Sequence, residues 1–147
     1  MFLVMKILLS FFVFFLISCS ENVLDKKYTY SEEQNLFLET LGWAGFEPSF
    51  IETTSLRDNL HVIFGYGGNI LVSIGNDGTL IVDSQFPDSS PVILRKIKEL
   101  GGEKVDFVIN THFHFDHAEG NRAYGPMGAD IYAHENTLDY FRKGAYI

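Results

Sequence analysis

Thr111-His112-Phe113-His114-Phe115-Asp116-His117 is the stretch that decides how this 147-residue chain reads. Three of the five histidines and one carboxylate fall within six residues, directly after the apolar run Val105 to Ile109 (VDFVI). Imidazole nitrogen and carboxylate oxygen are ligands for zinc, and also for iron or manganese. In an extended stretch, alternation places His112, His114 and Asp116 on one side and Phe113 and Phe115 on the other. The phenyl rings can then anchor the loop while the ligands face out. His117 breaks the alternation and is expected to point elsewhere, so one loop carrying two ligand sets implies two neighbouring metals. The plainer reading of such a segment is a solvated loop that binds metal adventitiously.

Outward from this stretch the chain reads as alternating strands and helices. Leu60–Phe64, Ile70–Ile74 and Thr79–Val82 predict strands, with Gly75-Asn76-Asp77-Gly78 as a hairpin turn. Ser89-Ser90-Pro91 predicts a helix start with Pro91 at the first helical position, and Gly101-Gly102 its end. Val105–Ile109 and Ala129–Ala133 predict two more strands. Ala118–Tyr124 predicts a short helix and Asn136–Lys143 a final one. Strands followed by alternating helices and strands indicate an α/β sheet covered by helices. Upstream, Ser31 as N-cap, Glu32 and Glu33 in the first turn and Gly42 as a stop predict a short helix over Ser31–Leu41.

The string HFHFDH resembles the HxHxDH motif of the metallo-β-lactamase superfamily. Asn110-Thr111 before it and Ala118-Glu119-Gly120-Asn121 after it add to the likeness, as does Asp83 at a strand end, where the family commonly carries a structural aspartate. The resemblance covers about residues 60–143. It implies the first half of an αβ/βα sandwich with metals at one edge, incomplete in this chain. It implies that His112 and His114 bind a first metal and that Asp116 and His117 bind a second. Asp116 would orient a bridging water, as the catalytic residue, and two zinc ions would make hydroxide available near neutral pH. His117 makes the chain similar to the larger hydrolase family and to the His-bearing lactamases. Asp83 and His134 are candidates for holding ligands from behind, with packing or helix entry as the other reading of His134. His61 reads as structural, and Glu119 as a supporting or solvated group.

The family takes a third histidine, a bridging aspartate and a further histidine from later segments. After His117 this chain offers His134, Asp130 and Asp139, too close to the motif for those roles. Each metal would have two protein ligands, whereas a catalytic zinc takes three. One sheet face would lack its partner and expose apolar surface. Two readings follow. In one, the sequence is part of a metal-dependent hydrolase that attacks a carbonyl-type small-molecule substrate. In the other, it is an inactive lipoprotein remnant or binding module.

Composition narrows the field. A formal charge of −8, from 11 Lys+Arg and 19 Asp+Glu, argues against nucleic-acid binding. Gly65-Tyr66-Gly67-Gly68 is not a dinucleotide fingerprint, because Ile70 stands at the last required position. No Gly-x-Ser-x-Gly elbow is present. The single cysteine excludes an internal disulfide and any multi-cysteine metal site. At the start, Lys6 precedes an apolar run from Ile7 to Ile17, broken only by Ser10, and Leu16-Ile17-Ser18-Cys19 follows. The run has signal-peptide length and resembles a bacterial lipobox, which implies cleavage before Cys19 and its lipidation. Residues 1–18 then read as a signal, 19–45 as a tether with a short helix, and 46–147 as the partial domain. The expected location is the periplasm, lipid-anchored to a membrane.

Overall fold

The computed structural model describes residues 27–44, 51–65 and 67–143; the signal, Cys19 and Tyr66 lie outside them. Six strands form one sheet in sequence order: β1 (Glu52–Arg57), β2 (Leu60–Phe64), β3 (Ile70–Gly75), β4 (Gly78–Val82), β5 (Phe107–Asn110) and β6 (Asp130–Ala133). The first four are antiparallel because tight turns join them. Gly75 pairs with Gly78 across Asn76-Asp77, the two-residue hairpin that the sequence announces. The β4–β5 and β5–β6 pairs are parallel and so need crossovers. Helix α2 (Ser90–Glu99) makes the first. Two short helices, α3 (Phe115–Ala118) and α4 (Asn121–Tyr124), lie in the second.

All five predicted strands are present. β1 was not foreseen, because its side chains are nearly all exposed and show no apolar alternation. Helix α2 begins one residue earlier than predicted, with Ser90 first and Pro91 second. The predicted helix over Ala118–Tyr124 is two short pieces, separated at Glu119-Gly120. Helix α5 (Glu135–Arg142) ends the described chain.

The core lies on one face of the sheet. Ile63, Ile70, Val72 and Ile81 pack there with Ile93 and Ile97 of α2, Val105, Val108 and Tyr124. Ile93 and Ile97 fall four residues apart on one helix stripe. Burying each such side chain contributes about 1.5–3 kcal/mol before entropic costs. The other face carries the row Val62, Leu71, Val82, Ile109 and Tyr132, which are register partners in turn. Ile109 and Tyr132 remain exposed, as does Phe64. Among the described residues, this face therefore exposes apolar surface, as expected from the sequence for one sheet face.

Helix α1 (Glu32–Thr40) is closed by a capping box between Ser31 and Gln34. It packs through Phe37 and Leu38 onto a second apolar cluster with Phe86 and Phe115. The helix is therefore fastened to the loops that follow β4 and β5.

Candidate metal centre

Both loops leave the same end of the β4–β5 pair. Past β4 the backbone turns sharply: Asp83 has φ 63° and Gln85 φ 52°. Each non-glycine residue in that region costs on the order of 1–3 kcal/mol and persists only where its surroundings fix it. Here they do. The Asp83 N–H donates to the Ile109 carbonyl at 2.8 Å, and Ser84 N–H to the His117 carbonyl at 2.7 Å. Gly120 N–H donates to the Gln85 carbonyl at 2.7 Å. A Cβ on Gly120 would stand 2.1 Å from the Ser84 carbonyl oxygen, so only glycine allows the two loops to zip together.

Asp83, 4 % exposed, organises the histidines. Its carboxylate accepts from Thr111 N–H at 2.8 Å and lies 2.8 Å from His117 Nδ1. Thr111 Oγ1 lies 3.0 and 2.9 Å from the two carboxylate oxygens and 2.9 Å from His112 Nδ1. A carboxylate only accepts, and Thr111 has one hydroxyl proton. That proton goes to Asp83, so His112 Nδ1–H donates to the Thr111 oxygen. His117 Nδ1–H donates to Asp83 directly. With Nδ1 engaged in both rings, Nε2 is the nitrogen turned outward and, in the neutral ring, the one available as a metal ligand, a support common behind metal-binding histidines.

The four motif donors sit together. The His112 ring centroid is 4.8 Å from that of His114 and 4.1 Å from that of His117. Asp116 Oδ2 is 3.4 Å from His117 Nε2. The expectation that His117 points away from its neighbours is therefore corrected. Strict alternation also ends early, because Phe115 opens α3 and places Asp116 and His117 on a helical turn. Phe115 is buried against Phe37 and Phe86, the anchoring role expected of it. Phe113 instead stacks on Tyr140, with centroids 4.0 Å apart.

Electrostatics distinguish the rings. Burial, then the neighbouring His117 and His114, hold His112 below the ordinary imidazole value. The hydrogen bond to Asp83 raises His117 above it, against burial. For Asp83, burial pushes upward, but the bonds from His117 and Thr111 outweigh it and lower the carboxyl.

Of the remaining candidates, His134 stands at a helix entry, where its Nδ1 accepts from Asn136 N–H at 3.2 Å. His61 is buried and bonded to Ser55 Oγ at 2.9 Å, a structural role. Glu119 is buried rather than solvated and pairs with Arg122 at 2.8 Å. Ser84 and Gln85 were not singled out from sequence, and Thr111 and Gly68 were quoted there without a role in the site. A Cβ on Gly68 would lie 2.5 Å from His117 Cε1, so the backbone at Gly68 presses directly on that ring. Gln85 Nε2 holds this backbone through the Gly68 carbonyl at 2.5 Å. The unusual Asp-Ser-Gln-Phe-Pro segment after a strand was the available signal.

The donor types suit a zinc-type ion, with the Nδ1 atoms of His112 and His117 already bonded and one adjacent carboxylate. Among the described residues, no three His, Cys, Asp or Glu side chains converge as a ready ligand group.

Comparison with known proteins bears on this geometry. Residues 63–125 match the family model of the metallo-beta-lactamase superfamily. A metallo-beta-lactamase of Cronobacter sakazakii with a HARLDQ motif superposes with TM-score 0.57 at 21 % identity, covering 64 % of this chain and 39 % of that one. GOB-18 of Elizabethkingia meningoseptica gives TM-score 0.58 at 21 % identity, covering 64 % and 36 %. The subclass B3 enzyme BJP-1 of Bradyrhizobium japonicum gives 0.53 at 27 % identity, covering 60 % and 35 %. The chain thus spans under two fifths of the length of each of these three structures.

Proposed function

From the match of residues 63–125 to the metallo-beta-lactamase superfamily model, we propose that the chain supplies the first metal-binding half of a metal-dependent hydrolase. The observation that carries this reading is the Asp83–Thr111–His112 and Asp83–His117 network, which engages Nδ1 of both rings and leaves Nε2 as their outward nitrogen, that of His117 3.4 Å from Asp116 Oδ2. In this reading His112 and His114 hold one ion, and Asp116 and His117 a second. Zinc supplies hydroxide near neutral pH and polarises the oxygen of a carbonyl-type substrate; iron or manganese are the alternatives. Asp116 both contributes a ligand oxygen and offers a carboxylate to accept a proton. Asp83 and Thr111 fix the rings, and Phe115 fixes the loop. Turnover requires further donors, since a catalytic zinc takes three protein ligands. The two-donor arrangement favours, as the second reading, a metal-binding protein without hydrolytic activity.

The test is zinc titration by calorimetry on the chain and on His112→Ala. The variant is expected to lose zinc affinity by more than tenfold while its circular dichroism is unchanged. Equal uptake by both proteins would contradict the assignment. Assay with a chromogenic β-lactam then separates a lactamase from other hydrolases.

The leader supports a location outside the cytoplasm, lipid-anchored through Cys19. No helix among the described residues is long and apolar enough to cross a membrane. Cys19→Ala is expected to move the protein from the membrane fraction to the soluble extract, and unchanged membrane association would refute lipidation there.

A further inference from the structure

We propose that the apolar hollow beside His114 and Asp116 seats a hydrophobic substituent of the substrate, an aryl or branched alkyl group next to the carbonyl under attack. This rests on the hydrolase reading above and specifies its substrate class. The hollow, about 350 Å³, is lined by Phe37, Leu41, Trp43, Phe115, His114 and Asp116. That volume is in the range of small-molecule sites.

Its polarity is graded. Two of its lining side chains, His114 and Asp116, are candidate metal donors, and the other four are aromatic or aliphatic. A molecule whose carbonyl reaches the donors therefore extends its neighbouring group over Phe115 towards α1. A charged group there would meet no partner on that wall and would be disfavoured by desolvation. The wall is also built rather than incidental. Phe37 meets Phe115 edge-on at 5.4 Å, and Trp43 meets Phe86 at 6.2 Å. Trp43 N–H is tied to the Leu38 carbonyl at 2.7 Å. Leu41, 42 % exposed, holds a large apolar side chain at the open edge, where an apolar occupant would cover it.

Trp43 is the only tryptophan in the chain, so its emission reports directly on the hollow. The zinc-loaded and zinc-free chains are titrated with phenylacetate and with acetate, and zinc uptake is measured separately by calorimetry. Phenylacetate is expected to change Trp43 emission saturably, and acetate to leave it unchanged. Leu41→Gln, at an exposed position that tolerates the change, is expected to weaken phenylacetate binding about tenfold, the scale on which apolar pockets discriminate. Identical responses to the two acids, no response to either, or a Leu41→Gln variant that binds like the parent would overturn the subsite. If zinc binds and phenylacetate does not, the subsite falls and the hydrolase reading stands. If phenylacetate binds and zinc does not, the hydrolase reading falls, and with it the assignment of the hollow to a substrate.

Discussion

The two ends of the β4–β5 strand pair carry the same device in different surroundings. At one end, Asp106 precedes β5 and accepts from the Thr79 N–H at 2.9 Å. At the other, Asp83 follows β4 and accepts from the Thr111 N–H at 2.8 Å. Each carboxylate ties one strand's terminus to its neighbour. Asp106 spends its other oxygen on Lys104, a largely exposed partner at 2.9 Å. Asp83 is buried and spends its remaining capacity on Thr111 Oγ1 and His117, and through Thr111 on His112. The first end is a strand clamp. The second is a clamp whose spare acceptor positions determine which nitrogen of two imidazoles faces outward. Among the described residues, non-glycine positions with positive φ, Asp83 and Gln85, occur only at this second end, so strained backbone and site coincide.

Removing the two carboxylates in turn should separate these roles. Asp83→Ala is expected to lower zinc affinity by about 10–100-fold, as loss of such supporting groups does. It should also destabilise the fold, because Thr111 N–H and His117 Nδ1–H lose a buried acceptor. Calorimetry and denaturant melts measure both, and unchanged zinc affinity would reduce Asp83 to a clamp like Asp106.

Thr111→Val is the finer cut. It keeps the backbone bond to Asp83 and removes the hydroxyl, with its bonds to the Asp83 carboxylate and to His112. Zinc affinity is expected to fall about tenfold, the lower end of that range, with a smaller loss of stability than for Asp83→Ala. A fall as large as that of Asp83→Ala would mean that His117 contributes little.

Asp106→Ala should cost about 0.5–1.5 kcal/mol of stability, the usual worth of one hydrogen bond, and leave zinc binding alone. The Thr79 N–H, then Lys104, hold the Asp106 carboxyl below the ordinary carboxylate range. Its contribution is therefore fully present above that range and is lost as pH falls through the depressed value. The variant's melts should converge with the parent's in acid. A difference that persists there would place the effect outside this carboxylate's ionisation.

Much of this was legible in the sequence, for identifiable reasons. Strands β2 to β6 carry apolar runs bounded by turn residues, and Asn76-Asp77 between glycines fixes a hairpin by local chemistry alone. The candidate donor string is contiguous, so its four side chains could be named, and the structure brings them near one another. β1 was hidden because ETTSLR is an edge strand with little buried surface. The short α3 was hidden because four residues show no helical period, and extended alternation was carried two residues too far. The supports behind the ligands are through-space pairings, such as Asp83 with His117, 34 positions apart, and no spacing rule reaches them. The hollow at α1 is likewise a tertiary product, since Phe37 meets Phe115 only after the chain has folded.

The central claim is that His112, His114 and His117 present nitrogen to a metal. Zinc K-edge absorption spectroscopy on the chain loaded with one equivalent tests it most directly. The account predicts a nitrogen and oxygen shell at about 2.0–2.1 Å with the outer scattering of imidazole rings, diminished in His112→Ala. A shell of oxygen alone, without imidazole scattering and unaltered by the substitution, would contradict it.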